Sequence, residues 1–201
     1  MKDNMNTNST KISPRELAFD IDGVVADTFR IFIETARKKY GIEIQYEEIT
    51  EYEFWEVLDI DLKTSRDIIQ MILDNPLEMG IRPITGAVEV LTRLSQIEPL
   101  LFVTARPDKD SILKWARKEL GLPGTNSIHI EASGTHREKL PILLEHGIKY
   151  FVEDRLETCF LLDEASVTPI VFDQPWNRKP HPFKTVRNWQ EIEALIEWQD
   201  L

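Results

Sequence analysis

The sequence has few groups that would cross-link the chain or place it in a membrane. It has a single cysteine, Cys159, among 201 residues, so no disulfide can form within it. This is typical of the reducing cytoplasm, and we interpret Cys159, in an apolar helical stretch, as a packing residue. No run approaches the roughly 18 apolar residues of a membrane helix, and residues 1–16 lack the apolar centre of a signal peptide. We therefore expect a cytoplasmic protein with no membrane partner.

Basic charge is also scarce. Lysine and arginine number 24 against 35 aspartates and glutamates, which gives a net charge of -11 and an isoelectric point near 4.9. Such a surface repels polyanions, so we do not expect a nucleic acid polymer as partner, although a small anion can enter a locally positive pocket. No cluster of cysteine and histidine indicates zinc.

Apolar runs alternate with helical spacings through most of the chain. The length and 42% hydrophobic content suit one domain, and the polar residues 1–13 are predicted to be a disordered tail. Strands are predicted at 17–19, 99–104, 127–130, 150–154 and 168–173. Helices are predicted at 28–40, 85–97, 108–120, 138–146, 157–164 and 186–199, with a loop at 174–184. This alternation indicates an α/β fold with a parallel sheet covered on both faces.

Residues 41–82 have a different character. Charged residues mix there with Tyr46, Tyr52, Phe54 and Trp55, a helix is predicted at 65–73, and no strand pattern occurs. We interpret this stretch as a small helical insertion.

Polar side chains stand where three of the predicted strands end. Asp20 and Asp22 follow the first strand, Thr104 ends the second, and Glu153 and Asp154 end the fourth. Ligands of parallel sheets bind at the carboxyl ends of the strands, so these residues are expected along one rim.

Asp20 and Asp22 are two residues apart, so in an extended chain they point the same way. Joined by Asp154, they form an oxygen-rich site suited to Mg²⁺. With a cation to neutralise the repulsion, one carboxylate can attack phosphorus and the other can move the proton.

Thr104 and Lys139 add groups that suit a phosphate. The Thr104 hydroxyl and nearby backbone N–H groups can bind a phosphoryl oxygen, and Lys139 can stabilise developing charge. Each feature alone has an ordinary alternative: a capped turn for the acid pair, loop chemistry for Thr104 and a solvated lysine. The order and placement of all of them favour phosphoryl chemistry.

The set resembles the haloacid dehalogenase (HAD) superfamily of phosphatases. The matching motifs are Phe19-Asp-Ile-Asp-Gly23, Leu101-Phe-Val-Thr104, Lys139 and Phe151-Val-Glu-Asp154. The resemblance implies a Rossmann-like, doubly wound core, dependence on Mg²⁺ and an aspartyl-phosphate intermediate. Dehalogenases and phosphonatases generally lack the second aspartate, so the sequence is similar to the phosphatases.

The resemblance also implies the residues' roles. Asp20 would be the nucleophile and Asp22 the acid and base, while Thr104 and Lys139 would hold the phosphate. The metal would contact Asp20, the Asp22 carbonyl and Asp154, with Glu153 nearby. Residues 41–82 would form a cap over a core of residues 14–40 and 83–201.

A finer resemblance concerns the substrate. Val171-Phe-Asp-Gln-Pro-Trp-Asn-Arg178, Val186-Arg-Asn-Trp-Gln-Glu-Ile192 and Arg82-Pro-Ile-Thr-Gly-Ala87 are similar to the 5'(3')-deoxyribonucleotidases, the cytosolic type C 5'-nucleotidases, and their bacterial relatives. Thr104-Ala-Arg-Pro107 departs from the mammalian members. The expected substrate is a nucleoside monophosphate. Another small phosphorylated metabolite, or a non-catalytic module that keeps the fold, is the alternative.

Candidate substrate contacts have open alternatives. Phe54 and Trp55 either stack on a nucleobase, which contributes about 1–3 kcal/mol per base elsewhere, or anchor a small helical core. Ala105 and Arg106 follow the phosphate-binding strand, where Arg106 either contacts the substrate or makes a surface salt bridge. Asp27 is predicted to cap the first helix rather than to take part in catalysis. His136 either approaches the pocket or, as we expect, is solvated at a helix start.

Overall fold

The computed structural model describes residues 11–122 and 127–198. Within them, six strands form one parallel sheet in the order β3-β2-β1-β4-β5-β6. The strands are β1 (Leu17–Phe19), β2 (Leu100–Thr104), β3 (Ile128–Ala132), β4 (Tyr150–Glu153), β5 (Thr168–Phe172) and β6 (Lys184–Val186). The predicted α/β fold with a doubly wound parallel sheet is confirmed.

The helices of the described residues connect these strands. They are α1 (Thr28–Thr35), α2 (Leu62–Asp74), α3 (Ala87–Ser95), α4 (Asp110–Glu119), α5 (Lys139–Glu145), α6 (Leu156–Glu164) and α7 (Trp189–Leu195). A π-helical turn at Ala36–Tyr40 extends α1. None of these helices is long and apolar enough to cross a membrane.

The chain reverses its direction across the sheet beside β1. It runs outward from β1 through β2 to β3, and then returns to add β4, β5 and β6 on the other side. All three residues of β1 are buried, as expected for a central strand covered on both faces. The crevice between β1 and β4 is the switch point at which such sheets bind ligands.

Residues 41–82 contain helical turns and no strand. Short 3-10 turns at Tyr46–Glu48 and Phe54–Glu56 precede α2, which includes the predicted helix 65–73. The Asp61 side chain caps α2 by accepting a hydrogen bond from the Thr64 N–H at 2.9 Å. Ile68 and Ile72 form the buried side of α2.

The boundary predicted for the N-terminal tail is wrong at its end. Ile12 is buried, bridges Ile196 and donates its N–H to the Leu195 carbonyl at 2.8 Å. An apolar side chain with a place in the core holds this segment on the fold. The rest of the predicted tail, residues 1–10, lies outside the described residues.

The C-terminal region also differs from the prediction. Lys184–Val186 forms β6 at the sheet edge, where we predicted the end of a loop and the start of a helix. Helix α7 begins only after Asn188, whose side chain accepts a hydrogen bond from the Glu191 N–H at 2.9 Å. Three residues are too few to show an alternating pattern.

Candidate active site

The ends of β1 and β4 and the start of α5 bring three charged side chains together. The Lys139 Nζ lies 3.0 Å from Asp20 Oδ1 and 2.8 Å from Glu153 Oε2, and all three side chains are buried. A buried ammonium requires such partners. Burial favours loss of the Lys139 proton, but the two carboxylates outweigh it and raise the pKa of Lys139. Lys139 is therefore a fixed cation beside Asp20, not a solvated lysine.

Both oxygens of Glu153 already accept hydrogen bonds. Oε2 accepts from Lys139, while Oε1 accepts from the backbone N–H groups of Asp154 at 3.0 Å and Arg155 at 3.1 Å. Burial alone would raise the pKa of Glu153, yet Lys139 holds it below its usual value. Glu153 therefore fixes the position of Lys139.

Asp154 has no cationic partner among the described residues. Its Oδ2 accepts a hydrogen bond from the Trp176 Nε1 at 3.1 Å, and its buried Oδ1 has no partner. Burial, followed by the charges of Glu153 and Asp20, raises the pKa of Asp154 well above its usual value. An unpaired oxygen among buried acids indicates that a positive group belongs there.

The local geometry fits a hard divalent cation. One oxygen each from Asp20, Glu153 and Asp154 lies within 4.8 Å of the others, and oxygen ligands are those that Mg²⁺ prefers. Gly23 has a φ of +79°, and a Cβ there would lie 2.2 Å from Asp154 Oδ2. The turn after β1 therefore requires glycine to leave room for this carboxylate.

Asp22 occupies a different environment from Asp20. The Arg106 guanidinium donates to its two oxygens at 2.9 and 2.8 Å, and the Thr28 hydroxyl donates at 2.6 Å. Burial opposes ionisation of Asp22, but Arg106 and then Thr28 outweigh it and lower its pKa. The sequence analysis did not identify Thr28, the first residue of α1, as a partner of Asp22.

Thr104, Ala105 and Arg106 extend the rim beyond β2. Thr104 is buried, and its Oγ1 accepts a hydrogen bond from the Arg106 N–H at 3.3 Å. All three line the same cavity as Asp20 and Asp22. Arg106 does form a salt bridge, with Asp22, but the alternative that placed this salt bridge on the surface is wrong. Arg106 is only 3% exposed, and the ion pair lies inside the site.

A cavity of about 320 Å³ opens above this rim. Its apolar lining includes Phe29, Phe32, Phe54, Trp55, Ile69, Ile72, Leu73 and Pro107. Phe54 is buried against Phe32, with ring centroids 4.4 Å apart, while Trp55 is half-buried. The two interpretations of Phe54 and Trp55 are thus compatible, since both residues pack in the insertion and line the cavity.

Tyr52, His136 and Arg155 form a polar side of the cavity. Tyr52 contacts the edge of His136 at 5.3 Å, and the Arg155 guanidinium lies 4.4 Å above the Tyr52 ring. His136 is half-buried rather than solvated, and its Nδ1 has no hydrogen-bond partner among the described residues. Burial, then Lys139 and Arg155, lower its pKa to about 4, so the ring is neutral at pH 7.

The turn at Pro175–Asn177 braces the Asp154 side of the site. Trp176 stacks on Phe29 with centroids 4.0 Å apart as it donates to Asp154, and the Asn177 side chain donates to the Asp154 carbonyl at 2.8 Å. Gln174 donates to the Gly23 carbonyl at 2.7 Å. Trp176 and Asn177 therefore hold Asp154 in place.

Asp27 precedes α1 but does not cap it with its side chain. No cap hydrogen bond is present, and its carboxylate instead accepts a hydrogen bond from Arg30 at 2.8 Å. The predicted cap is wrong because Asp27 has a φ of −79° and ψ of 62°, outside the extended backbone usual for a capping residue.

Solved structures show which fold this is. A haloacid dehalogenase-like hydrolase from Streptococcus pneumoniae superposes with a TM-score of 0.57 at 12% identity, covering 92% of this chain and 98% of that one. A Bacillus subtilis protein described as a HAD-hydrolase, bound to magnesium, superposes with a TM-score of 0.58 at 13% identity and with the same coverage of the two chains. The fold is that of the HAD hydrolases.

The sequence comparisons give the family. Residues 15–200 match the 5' nucleotidase, deoxy (pyrimidine), cytosolic type C protein family, and the chain belongs to it. A Halalkalibacterium halodurans protein, named an unproven nucleotidase, is 28% identical over 92% of this chain and 94% of its own. A Clostridium acetobutylicum nucleotidase is 25% identical, and the match covers 90% of this chain and 93% of the nucleotidase. The protein is therefore a HAD-type hydrolase of the nucleotidase and phosphatase kind, which confirms the resemblance.

Proposed function

We propose that the protein is a Mg²⁺-dependent phosphomonoesterase that acts on nucleoside monophosphates through an aspartyl-phosphate on Asp20. The observation that carries this proposal is the position of Asp20. Its carboxylate lies 3.0 Å from the buried Lys139 and lines a cavity with aromatic walls. A carboxylate in this position can act as a nucleophile, and the cavity suits a planar organic group.

In the first half-reaction, an Asp20 oxygen attacks the phosphorus of the substrate. The new oxygen–phosphorus bond forms as the ester bond to the alcohol breaks. Arg106 and Thr28 hold Asp22 as a carboxylate before the substrate binds. Asp22 therefore takes its proton from the monoanionic form of the substrate phosphate and passes it to the departing oxygen, so the alcohol leaves neutral. Lys139 stays protonated and stabilises charge on the transferring phosphoryl group.

In the second half-reaction, water attacks the phosphorus of the aspartyl-phosphate. Asp22, now a carboxylate, removes a proton from that water, and the bond between phosphorus and Asp20 breaks. Inorganic phosphate leaves with that proton, and Asp20 and Asp22 return to their carboxylate states. Thr104, with backbone N–H groups near Ala105, holds phosphoryl oxygens in both halves.

The cation site would be formed by Asp20, the Asp22 backbone carbonyl and Asp154. A bound Mg²⁺ supplies the positive charge that lets an anionic nucleophile approach a phosphate. The unpaired Asp154 oxygen supports this assignment. Glu153 belongs to the acidic group, but its hydrogen bonds favour a role in positioning Lys139.

Residues 41–82 are proposed as the cap over a core of residues 14–40 and 83–201. Phe54 and Trp55 of this segment line the cavity opposite Asp20. A nucleobase stacked on them would place the 5' phosphate toward the rim. The neutral His136 is suited to hydrogen-bond an uncharged base.

Phosphate release from a panel of nucleoside monophosphates and other phosphorylated metabolites tests the proposal. We expect hydrolysis that requires Mg²⁺, prefers the nucleotides and is lost in Asp20→Asn. A preference for sugar phosphates would replace the substrate and leave the chemistry in place. Near wild-type hydrolysis by Asp20→Asn, or no hydrolysis together with no Mg²⁺ binding by calorimetry, would overturn the mechanism and favour a non-catalytic module.

A further inference from the structure

Arg106 connects Asp22 to the helical insertion. Its Nε and Nη2 donate to the two Asp22 oxygens at 2.9 and 2.8 Å, while its Nη1 donates to the backbone carbonyl of Leu73 at 3.2 Å. The side chain is 2% exposed. One guanidinium thus contacts the core rim and the insertion at the same time.

The Leu73 carbonyl belongs to the last turn of α2, where carbonyl groups lack partners within the helix. A second side chain from the core, Ser111 of α4, also donates to this carbonyl, at 2.7 Å. The end of α2 is therefore held on the core by Arg106 and Ser111, and only Arg106 also contacts Asp22.

We propose that Arg106 is a positioning residue that couples closure of the insertion over the cavity to the placement of the Asp22 carboxylate. The planar guanidinium matches two carboxylate oxygens and sets the orientation of the Asp22 side chain. The third contact, from Nη1 to the Leu73 carbonyl, exists only while the end of α2 lies on the core. The orientation of the guanidinium, and with it that of Asp22, therefore depends on the position of α2. The inference rests on the acid and base role of Asp22 in the proposed function.

The competing role for Arg106 is direct contact with the substrate phosphate. The two roles predict different dependence on the leaving group. A nucleoside leaves as a poorly stabilised alkoxide and needs the proton from Asp22, whereas 4-nitrophenolate leaves readily without one. Loss of a phosphate contact weakens both reactions to a similar extent, but loss of Asp22 positioning weakens mainly the first.

The test measures release of the leaving group in a single turnover of the full chain with Mg²⁺, for a nucleoside 5'-monophosphate and for 4-nitrophenyl phosphate. We expect Arg106→Lys to slow the nucleotide reaction by about 10- to 100-fold, since general acid catalysis contributes about 10²–10⁴-fold, and the 4-nitrophenyl reaction by less than about threefold. Equal losses on both substrates, or no loss on either, would overturn the proposal.

Hydrogen exchange of the α2 amides tests the coupling. Arg106→Lys is expected to increase exchange in the last turn of α2. Ser111→Ala removes a Leu73 contact without touching Asp22, so coupling predicts that it increases the same exchange and shifts the ratio of the two rates in the same direction as Arg106→Lys, by a smaller factor. Increased exchange in Ser111→Ala with the ratio at the wild-type value would contradict the coupling. A changed rate ratio in Arg106→Lys with unchanged exchange would show that Arg106 orients Asp22 without coupling, which contradicts the proposal.

Two further variants separate this inference from the proposed function. Thr28→Val removes the other donor to Asp22, far from Leu73, and is expected to change the rate ratio but not the exchange; it replaces Arg106→Lys if that variant does not fold. Asp22→Asn is the reference for a lost proton donor. If Asp22→Asn slows both substrates equally, the acid role in the proposed function is wrong, while the exchange data still decide the contact with Leu73.

Discussion

The two sides of the cavity are built in opposite ways. The charged floor (Asp20, Asp22, Lys139, Glu153 and Asp154) consists of ionisable groups near the ends of strands and at the start of a helix, all buried except the half-buried Asp22. The aromatic roof (Phe29, Phe32, Phe54 and Trp55) consists of rings from α1 and a 3-10 turn of the insertion. The floor carries groups suited to phosphoryl transfer, and the roof offers shape and apolar contact. A change in the roof can therefore alter the substrate without altering the chemistry.

The largest effect is expected from the floor. Asp20→Asn removes the nucleophile and should lower kcat by at least about a thousandfold. The loss is large because a neighbouring side chain rarely takes over the role of a missing nucleophile. Steady-state phosphate release measures it. Asp67→Asn, on the exposed side of α2, is the matched control and should retain full activity. A small loss in Asp20→Asn would mean that the floor does not supply the nucleophile.

Lys139→Met tests whether the floor also supports the fold. The change leaves Asp20 and Glu153 without their buried cation, and breaking a buried ion pair costs about 3–5 kcal/mol. Chemical denaturation gives the free energy of unfolding. Lys149→Met breaks an exposed ion pair with Glu16 and should cost less than about 1 kcal/mol. Equal effects for the two lysines would contradict the tight pairing of the floor.

Trp55→Ala tests the roof. Loss of a stacking ring should raise KM for a nucleoside monophosphate by roughly 5- to 150-fold, equivalent to about 1–3 kcal/mol, with kcat little changed. KM for a phosphate ester without a ring should stay the same. Val57→Ala, just after the same turn and 44% exposed, serves as control. A similar rise in KM for both esters would place Trp55 in general packing rather than in base recognition.

The smallest effect concerns the stability of the metal-free protein. Burial and neighbouring acids raise the pKa of Asp154 above 3.8, so the folded state holds a proton that the unfolded state releases. The contribution of Asp154 to stability is then complete below pH 3.8 and is lost as pH rises through the raised pKa. Asp154→Asn removes this loss, so from pH 5 to pH 8 in chelator the free energy of unfolding of the variant should fall less than that of the wild type.

Unfolding by denaturant at the two pH values measures this difference. Added Mg²⁺ should raise the Tm of the wild type and leave that of Asp154→Asn unchanged. Parallel pH dependence of the two proteins, or an equal response to Mg²⁺, would mean that Asp154 is not the uncompensated acid of the floor.

The same comparison explains what the sequence could predict. Asp20, Thr104 and Asp154 follow apolar runs that become parallel strands, so their placement on one rim follows from the fold class. In the structure, Asp20 pairs with Lys139, shares a cavity with Thr104 and belongs to one acidic group with Asp154. The sheet order itself was not predicted, because it depends on contacts between distant segments, and β6 was too short to recognise.

Contacts that depend on the insertion were harder to predict. The local sequence around Arg106 does not indicate that it reaches both Asp22 and the Leu73 carbonyl. Tyr52 and Arg155 stand 103 positions apart in the chain, yet they contact each other across the cavity. The interpretation of Trp55 stayed open for the same reason, because irregular turns carry no periodicity that shows which way a ring faces.

Trapping of the intermediate tests the central claim most directly. The protein is mixed with Mg²⁺ and a nucleoside monophosphate, quenched in acid within a turnover and digested, and the peptides are analysed by mass spectrometry. We predict a phosphate on the peptide that contains Asp20, lost on treatment with hydroxylamine and missing in Asp20→Asn. Turnover of the substrate without any phosphate on that peptide, in a quench shown to preserve acyl-phosphates, would contradict the account.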